Sequence, residues 1–168
     1  MHGLNVIVTT LRPSEEPFDL RSDNVGSDAT NVADNPADLQ VTSVQTLSPQ
    51  HFSGEPTTIQ WTVENIGNPV WSGTEYWRDL VFFSPDATFD KNRATFLDRV
   101  TYSNVPPLGT GASYTQTAEV TLPRGIAGDF FIHIFANSFV DAAGRIVSGR
   151  ILDERFAYEA GNTANNLG

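Results

Sequence analysis

The chain contains no cysteine, a single lysine (Lys91) and a single methionine (Met1). Without cysteine there are no disulfides, no thiolate chemistry and no cysteine-bound metal, and the redox compartment is left open. Ten basic residues stand against twenty acidic ones, for a net charge of -10. The nine arginines are scattered singly, so there is no polybasic patch, and a surface this acidic repels nucleic acid and anionic membranes. No apolar run approaches the roughly 18 to 20 residues needed to cross a bilayer, which argues against membrane insertion. Met1 to Pro13 lacks the basic start and apolar stretch of a signal peptide. An extracellular destination therefore needs a signal outside this sequence, and the lone Met1 fits a start codon placed ahead of an internal fragment. No Asn-x-Ser/Thr acceptor for glycosylation is present.

Motifs of catalysis are also missing. His2, His51 and His133 lie far apart, and none has a metal-ligand partner at short spacing. There is no Gly-x-Ser-x-Gly nucleophile turn, and Gly109 Thr110 Gly111 precedes a strand pattern instead of a phosphate-binding helix. The acidic pairs Glu15 Glu16 and Asp153 Glu154 fall in polar segments, without the apolar pocket that tunes a catalytic carboxyl. The chain reads as a non-enzyme.

What is present is a period of two. Ile59, Trp61 and Val63 alternate with Thr58, Gln60, Thr62 and Glu64, the pattern of a strand with one buried face. Tyr114, Gln116, Ala118, Val120 and Leu122 alternate with Thr115, Thr117, Glu119 and Thr121 in the same way. Trp77 to Phe83 is apolar on both faces except at Arg78 and Asp79, which suits a central strand. Turn residues separate the runs: Asn65 Ile66 Gly67 Asn68 Pro69, Ser84 Pro85 Asp86, Pro106 Pro107 Leu108 Gly109. The pattern predicts an all-β antiparallel sandwich of about seven strands over residues 37–168. Residues 1–36 are expected to be a linker or the tail of a preceding repeat. Ser138 to Arg155, long and charged, is expected to project as a hairpin.

The chain also begins with an echo of its ending. The run Phe130 to Phe135, followed later by Tyr158 Glu159 and Asn165 Asn166 Leu167 Gly168, has a counterpart in Leu4 to Val8, Phe18 Asp19 and Asp23 Asn24 Val25 Gly26. Matching Asn24 to Asn166 sets an offset of 142 residues, the signature of a tandem array. On that reading, Val25 to Val32 is the closing strand of a preceding module. The module ending at Gly168 stops before its own closing strand and leaves a sheet edge open. Part of Leu4 to Val32 is expected to add to such an edge, its own or a neighbour's, the second case giving a strand-swapped dimer.

Ala37 to Val41, Ile59 to Gly67, Trp77 to Asp86, Leu108 to Tyr114, and Tyr158 Glu159 with Asn165 Asn166 occur here in an order that resembles the CARDB domain, the cell-adhesion-related domain of bacteria. The resemblance covers about residues 37–166. It implies an immunoglobulin-like β-sandwich set in tandem within a surface or secreted protein, so an extracellular adhesion or spacer module whose partners are neighbouring repeats, cell-surface protein or glycan. Ser138 to Arg155 is longer than the family pattern, and Glu159 stands further from Asn165.

Three constellations are candidate sites. Asp86, Asp90 and Asn92 place oxygen donors on one loop, a composition that suits calcium and equally suits Asx turns. Glu159 with Asn162, Asn165 and Asn166 is either a second calcium edge, stiffening the junction between modules, or a set of side-chain to backbone ties. Trp71, beside Ser72 Gly73, is the tryptophan expected to lie exposed. Such a ring would serve a carbohydrate-binding accessory module, the rival function.

Overall fold

The computed structural model describes residues 4–8, 26–148 and 156–168. The described residues contain ten strands and no helix: β1 Leu4–Val8, β2 Gly26–Thr30, β3 Leu39–Thr46, β4 Pro56–Asn65, β5 Tyr76–Ser84, β6 Thr95–Ser103, β7 Ser113–Thr121, β8 Phe131–Phe135, β9 Ser138–Val140 and β10 Ile146–Ser148. The chain divides into two compact units, 1–35 and 36–168. The first holds an antiparallel pair, β1 with β2, in register from Leu4 opposite Thr30 to Val8 opposite Gly26. The predicted features at Glu15, Glu16, Phe18, Asp19, Asp23 and Asn24, and the end of the long hairpin from Arg150 to Arg155, lie outside the described residues.

The second unit is a sandwich. One antiparallel sheet has the order β3-β4-β7 and the other β6-β5-β8. Alternation decides the inner face: Thr57, Ile59, Trp61, Val63 and Asn65 of β4 are buried. Tyr114, Ala118 and Val120 of β7 join them, with Trp77 and Val81 of β5 and Ile134 of β8 from the opposite sheet. β5 is buried along both faces, as its unbroken apolar run requires of a central strand. Its outer face is closed by edge-on aromatic rings, with Phe82 against Phe89, Phe96 and Phe135 at centroid separations of 5.3 to 5.7 Å. β9 and β10 pair as a hairpin, as the Ala143 Gly144 turn predicts.

The strand that sequence alternation did not reveal is β6. A register shift opposite Val81 and Phe82 inserts an irregularity near Leu97. That bulge breaks the period of two within Thr95–Ser103 and leaves a mixed burial pattern.

The turn after β4 is organised by one amide. Asn65 is buried, its Oδ1 accepts from the backbone N–H groups of Asp38 and Gly67, each at 3.1 Å, and its Nδ2 donates to the carbonyl of Asn68 at 2.8 Å. Gly67 is pressed against the strand entering β3. A Cβ there would lie 2.5 Å from the backbone nitrogen of Asp38 and 2.7 Å from the carbonyl carbon of Ala37. Backbone atoms give way poorly, so Gly67→Ala is expected to cost about 1–3 kcal/mol. Urea denaturation measures it, and an unchanged midpoint would mean that the turn relaxes freely.

The end of the chain closes one side of the sandwich. Ile134 N donates to Gly168 O at 2.9 Å and Gly168 N donates to Ile134 O at 3.0 Å, while Ala136 N donates to Asn166 O at 2.9 Å. This is the start of an antiparallel ladder on β8. On the other side Val41 N of β3 donates to Asn165 O at 3.2 Å.

Candidate functional site

The most elaborate chemistry in the molecule is buried. Asp79 sits in the middle of β5 on the inner face, fully enclosed. Its carboxylate accepts from Trp61 Nε1 at 2.8 Å, from Tyr114 Oη at 3.0 Å and from the backbone N–H of Asn137 at 3.1 Å. Trp77 Nε1 donates in turn to Tyr114 Oη at 2.9 Å. One carboxylate therefore ties β4, β5, β7 and the turn after β8 together. Burial pushes its pKa up to about 6, against the pull of the Trp61, Asn137 and Tyr114 donors. The Tyr114 hydroxyl, desolvated and beside Asp79, is held well above the usual phenol range.

Asn137 links this hub to a second buried acid. Its backbone takes φ 48°, a left-handed conformation that Asn tolerates better than most side chains. Its Nδ2 donates to Ala157 O at 2.8 Å and to Glu159 Oε1, while its Oδ1 accepts from Ala157 N at 3.1 Å. Glu159, with no exposed surface, also accepts from Leu39 N at 3.0 Å and from Asn166 Nδ2 at 2.9 Å. Desolvation raises its pKa to about 7, outweighing those donors. Asn165 Nδ2 adds a bond to Asp38 Oδ1 at 2.9 Å, and Asn162 N donates to Glu159 O at 2.8 Å. The Glu/Asn edge singled out in the sequence is thus a set of ties between the chain end, β3 and the turn after β8.

The Asp86 loop is arranged differently. Arg93 Nε lies 3.0 Å from Asp86 Oδ2 as a surface ion pair, an interaction of small net worth. Asp90 Oδ1 accepts from Asn92 N at 2.9 Å, and the Asp90 carbonyl accepts from Arg93 N and Ala94 N, which is an Asx-capped turn. His133 Nε2 meets the Asp86 carbonyl at 2.9 Å, and its ring is edge-on to Phe89. Among the described residues no three His, Asp or Glu side chains gather as a metal-holding group. Glu159 keeps its own buried set of donors, separate from the ties made by Asp86 and Asp90.

Trp71 is 65 % exposed. Its six-membered ring lies over Gly73, where any Cβ would collide with it. Its carbonyl accepts from Thr74 N at 3.0 Å and from Asn104 Nδ2 at 3.2 Å. The ring is therefore close to Gly73 on a hydrogen-bonded turn and largely exposed. Trp61 and Trp77, by contrast, have no exposed surface.

Sequence reasoning passed over Asp79 and Asn137. Asp79 was visible as one of two charged residues, with Arg78, inside the strand that is otherwise apolar on both faces, and a buried charge there is tolerated only when it is hydrogen-bonded. Asn137 had no such signal.

No family model matches the chain, and no curated protein matches it. Among solved structures it is similar to β-glucosidase 3B from Thermotoga neapolitana in complex with glycerol, at 16% identity and a TM-score of 0.41. The match covers 58% of this chain and 14% of that enzyme.

Proposed function

We propose that this chain is a non-catalytic adhesion or spacer module of the CARDB type, from a tandem-repeat protein of the bacterial surface or its secreted material. The observation that supports it is that a glycine matched by the repeat stands opposite an apolar strand at both ends. In the first unit Val8 stands opposite Gly26. In the second, Ile134 exchanges both backbone bonds with Gly168. Gly26 and Gly168 are the residues that the 142-residue offset matches, whereas Val8 and Ile134 stand 126 residues apart, so the two ends resemble one another with a connection 16 residues longer between Ile134 and Gly168. A recurring pairing of this kind is what a tandem array of modules would carry. The polar machinery suits a mechanical part: Asp79 and Glu159 bind strands to one another and are closed to substrate.

Two copies joined in tandem and pulled by their ends are expected to unfold in equal steps. Each step should release about 450 Å, from ~130 residues at ~3.5 Å each. Unresolved or unequal extension would contradict an independent load-bearing module.

A second reading is favoured by the exposed Trp71 ring. As a stacking surface for a sugar it makes the chain a carbohydrate-binding accessory module. A glycan array run with and without calcium, using the protein and Trp71→Ala, decides this. The variant is expected to keep its stability within about 0.5 kcal/mol and to lose every glycan signal. Signals that survive in Trp71→Ala exclude this ring.

A further inference from the structure

Cations are few in this chain, and the unpaired ones gather in one place. Among the described residues Arg93 is paired with Asp86 and Arg145 with Asp141, which leaves Arg78, Lys91, Arg99 and Arg124 without an ion pair. The first three of these line two adjoining hollows between the β5–β6 ladder and the β9–β10 hairpin, and Arg99 borders both. Strand register brings the arginines together. Arg78 stands opposite Thr101 and Arg99 opposite Leu80, so the two are diagonal neighbours on one face of the sheet, about 7–8 Å apart. The Arg78 guanidinium lies 6.0 Å from the centre of the Tyr76 ring. Lys91 Nζ reaches the hairpin turn, 3.5 Å from where a Cβ on Gly144 would stand. The larger hollow, of about 390 Å³, has Leu80, Phe82 and Phe96 on its strand side and Val140 and Ile146 on its hairpin side. Phe96 is 47% exposed and Val140 44%, so apolar surface is left uncovered there. Among the described residues no aspartate or glutamate lines either hollow, in a chain that carries twenty acidic residues.

We propose that the larger hollow binds a small amphipathic anion, an aromatic or aliphatic body that carries one carboxylate. The body lies against Leu80, Phe82 and Phe96, and the carboxylate within reach of Lys91 and Arg99. The two halves of the site select the two halves of the ligand. An apolar lining with a few polar groups, in a hollow of roughly 300–1,000 Å³, is the usual make-up of a small-ligand site. A compact, strongly hydrated ion such as free phosphate fits it poorly, because its charge would be desolvated against Leu80 and Phe82. A neutral body would leave the neighbouring cations Arg78 and Arg99 repelling one another, whereas a carboxylate accepts from a guanidinium fork and an ammonium in charge-assisted bonds. The net charge of -10 repels anions from the rest of the surface, which sharpens the contrast at this cluster. The larger hollow uses neither end of the chain nor Trp71, so it is independent of both readings of the function.

Titration of the full chain with phenylbutyrate, followed by backbone amide shifts in proton–nitrogen correlation spectra, tests the proposal. Saturable shifts at Leu80, Phe96 and Val140 are expected, with a Kd on the order of 1 mM for so small a body. Phenylbutyramide, the same body without the charge, is expected to bind about tenfold more weakly. Lys91→Gln/Arg99→Gln, at two exposed positions where substitution costs little stability, is expected to weaken the acid by a similar factor and leave the amide unchanged. Arg124→Gln, at the unpaired cation that lines neither hollow, is expected to change nothing. If the double variant does not fold, the comparison of acid with amide on the unmodified chain decides alone. No saturable shift up to about 20 mM, equal affinity for acid and amide, or shifts that map away from the hollow overturn the proposal. A peptide of alternating glutamate and phenylalanine is titrated in parallel. Should it shift these amides where phenylbutyrate does not, the surface is a peptide-docking face and the small-ligand assignment falls. Each of these failures leaves the spacer function standing.

Discussion

Replacing Trp61 with alanine is expected to cost on the order of 3–5 kcal/mol, the range for deleting a large aromatic from a packed core. The indole has no exposed surface and packs in the cluster shared by both sheets. Its loss leaves a cavity and also removes the N–H that Asp79 Oδ2 accepts at 2.8 Å. Domains of this size are stable by about 5–15 kcal/mol, so a large share of the molecules would unfold. Trp61→Phe separates the two contributions, because it retains most of the ring volume but not the donor. That variant is expected to lose about 1–3 kcal/mol, the cost of a buried acceptor deprived of a partner. Urea midpoints measure both, and a loss below about 1 kcal/mol for Trp61→Ala would mean that the ring is not central to the core.

The second large effect is on pH dependence, and its direction is unusual. Asp79 and Glu159 have folded pKa values of about 6 and about 7, above their ordinary values of 3.8 and 4.5. Between those limits the folded chain binds more protons than the unfolded chain, so stability falls as pH rises. The contribution is complete below about pH 4, declines between roughly pH 4 and 7, and is gone by about pH 8, on the order of 3 kcal/mol for each group. The net charge of -10 acts in the same direction, since protonation relieves self-repulsion. Thermal unfolding is expected to give a Tm several degrees higher at pH 5 than at pH 8. Asp79→Asn and Glu159→Gln should each flatten the slope over their own part of that window. A Tm that rises from pH 5 to pH 8 would show that both acids are ionised in the folded protein at little cost.

Much of the sandwich was legible because one face of each strand is wet and the other dry. The phase of Ile59, Trp61 and Val63 placed β4 correctly, and the unbroken run from Trp77 to Phe83 placed β5 at the centre of its sheet. β6 was not legible, because a bulge changes which side of the strand faces inward partway along and Asp98 and Arg99 interrupt the apolar positions. The ties made by Glu159 and Asn166 were visible as a carboxylate followed by amides near the chain end. Asn137 was not, since its partners Ala157 and Glu159 lie 20 and 22 residues away and only the folded chain brings them together. The exposure of Trp71 followed from its turn, whereas the Asp86 loop carried two chemistries in one composition, and the sequence had no means of choosing between them.

The correspondence between the two ends of the chain carries the account, and grafting one end onto the other tests it most directly. The sequence of residues 27–32, Ser-Asp-Ala-Thr-Asn-Val, is fused directly after Gly168, and the same residues in scrambled order serve as the control. Hydrogen exchange and thermal unfolding are then followed for both. The expected result is strong protection of the Ile132 amide and a Tm raised by several degrees in the grafted chain alone, as a closing strand completes the ladder on β8. An unprotected Ile132 amide, or the same gain from the scrambled graft, would contradict the repeat.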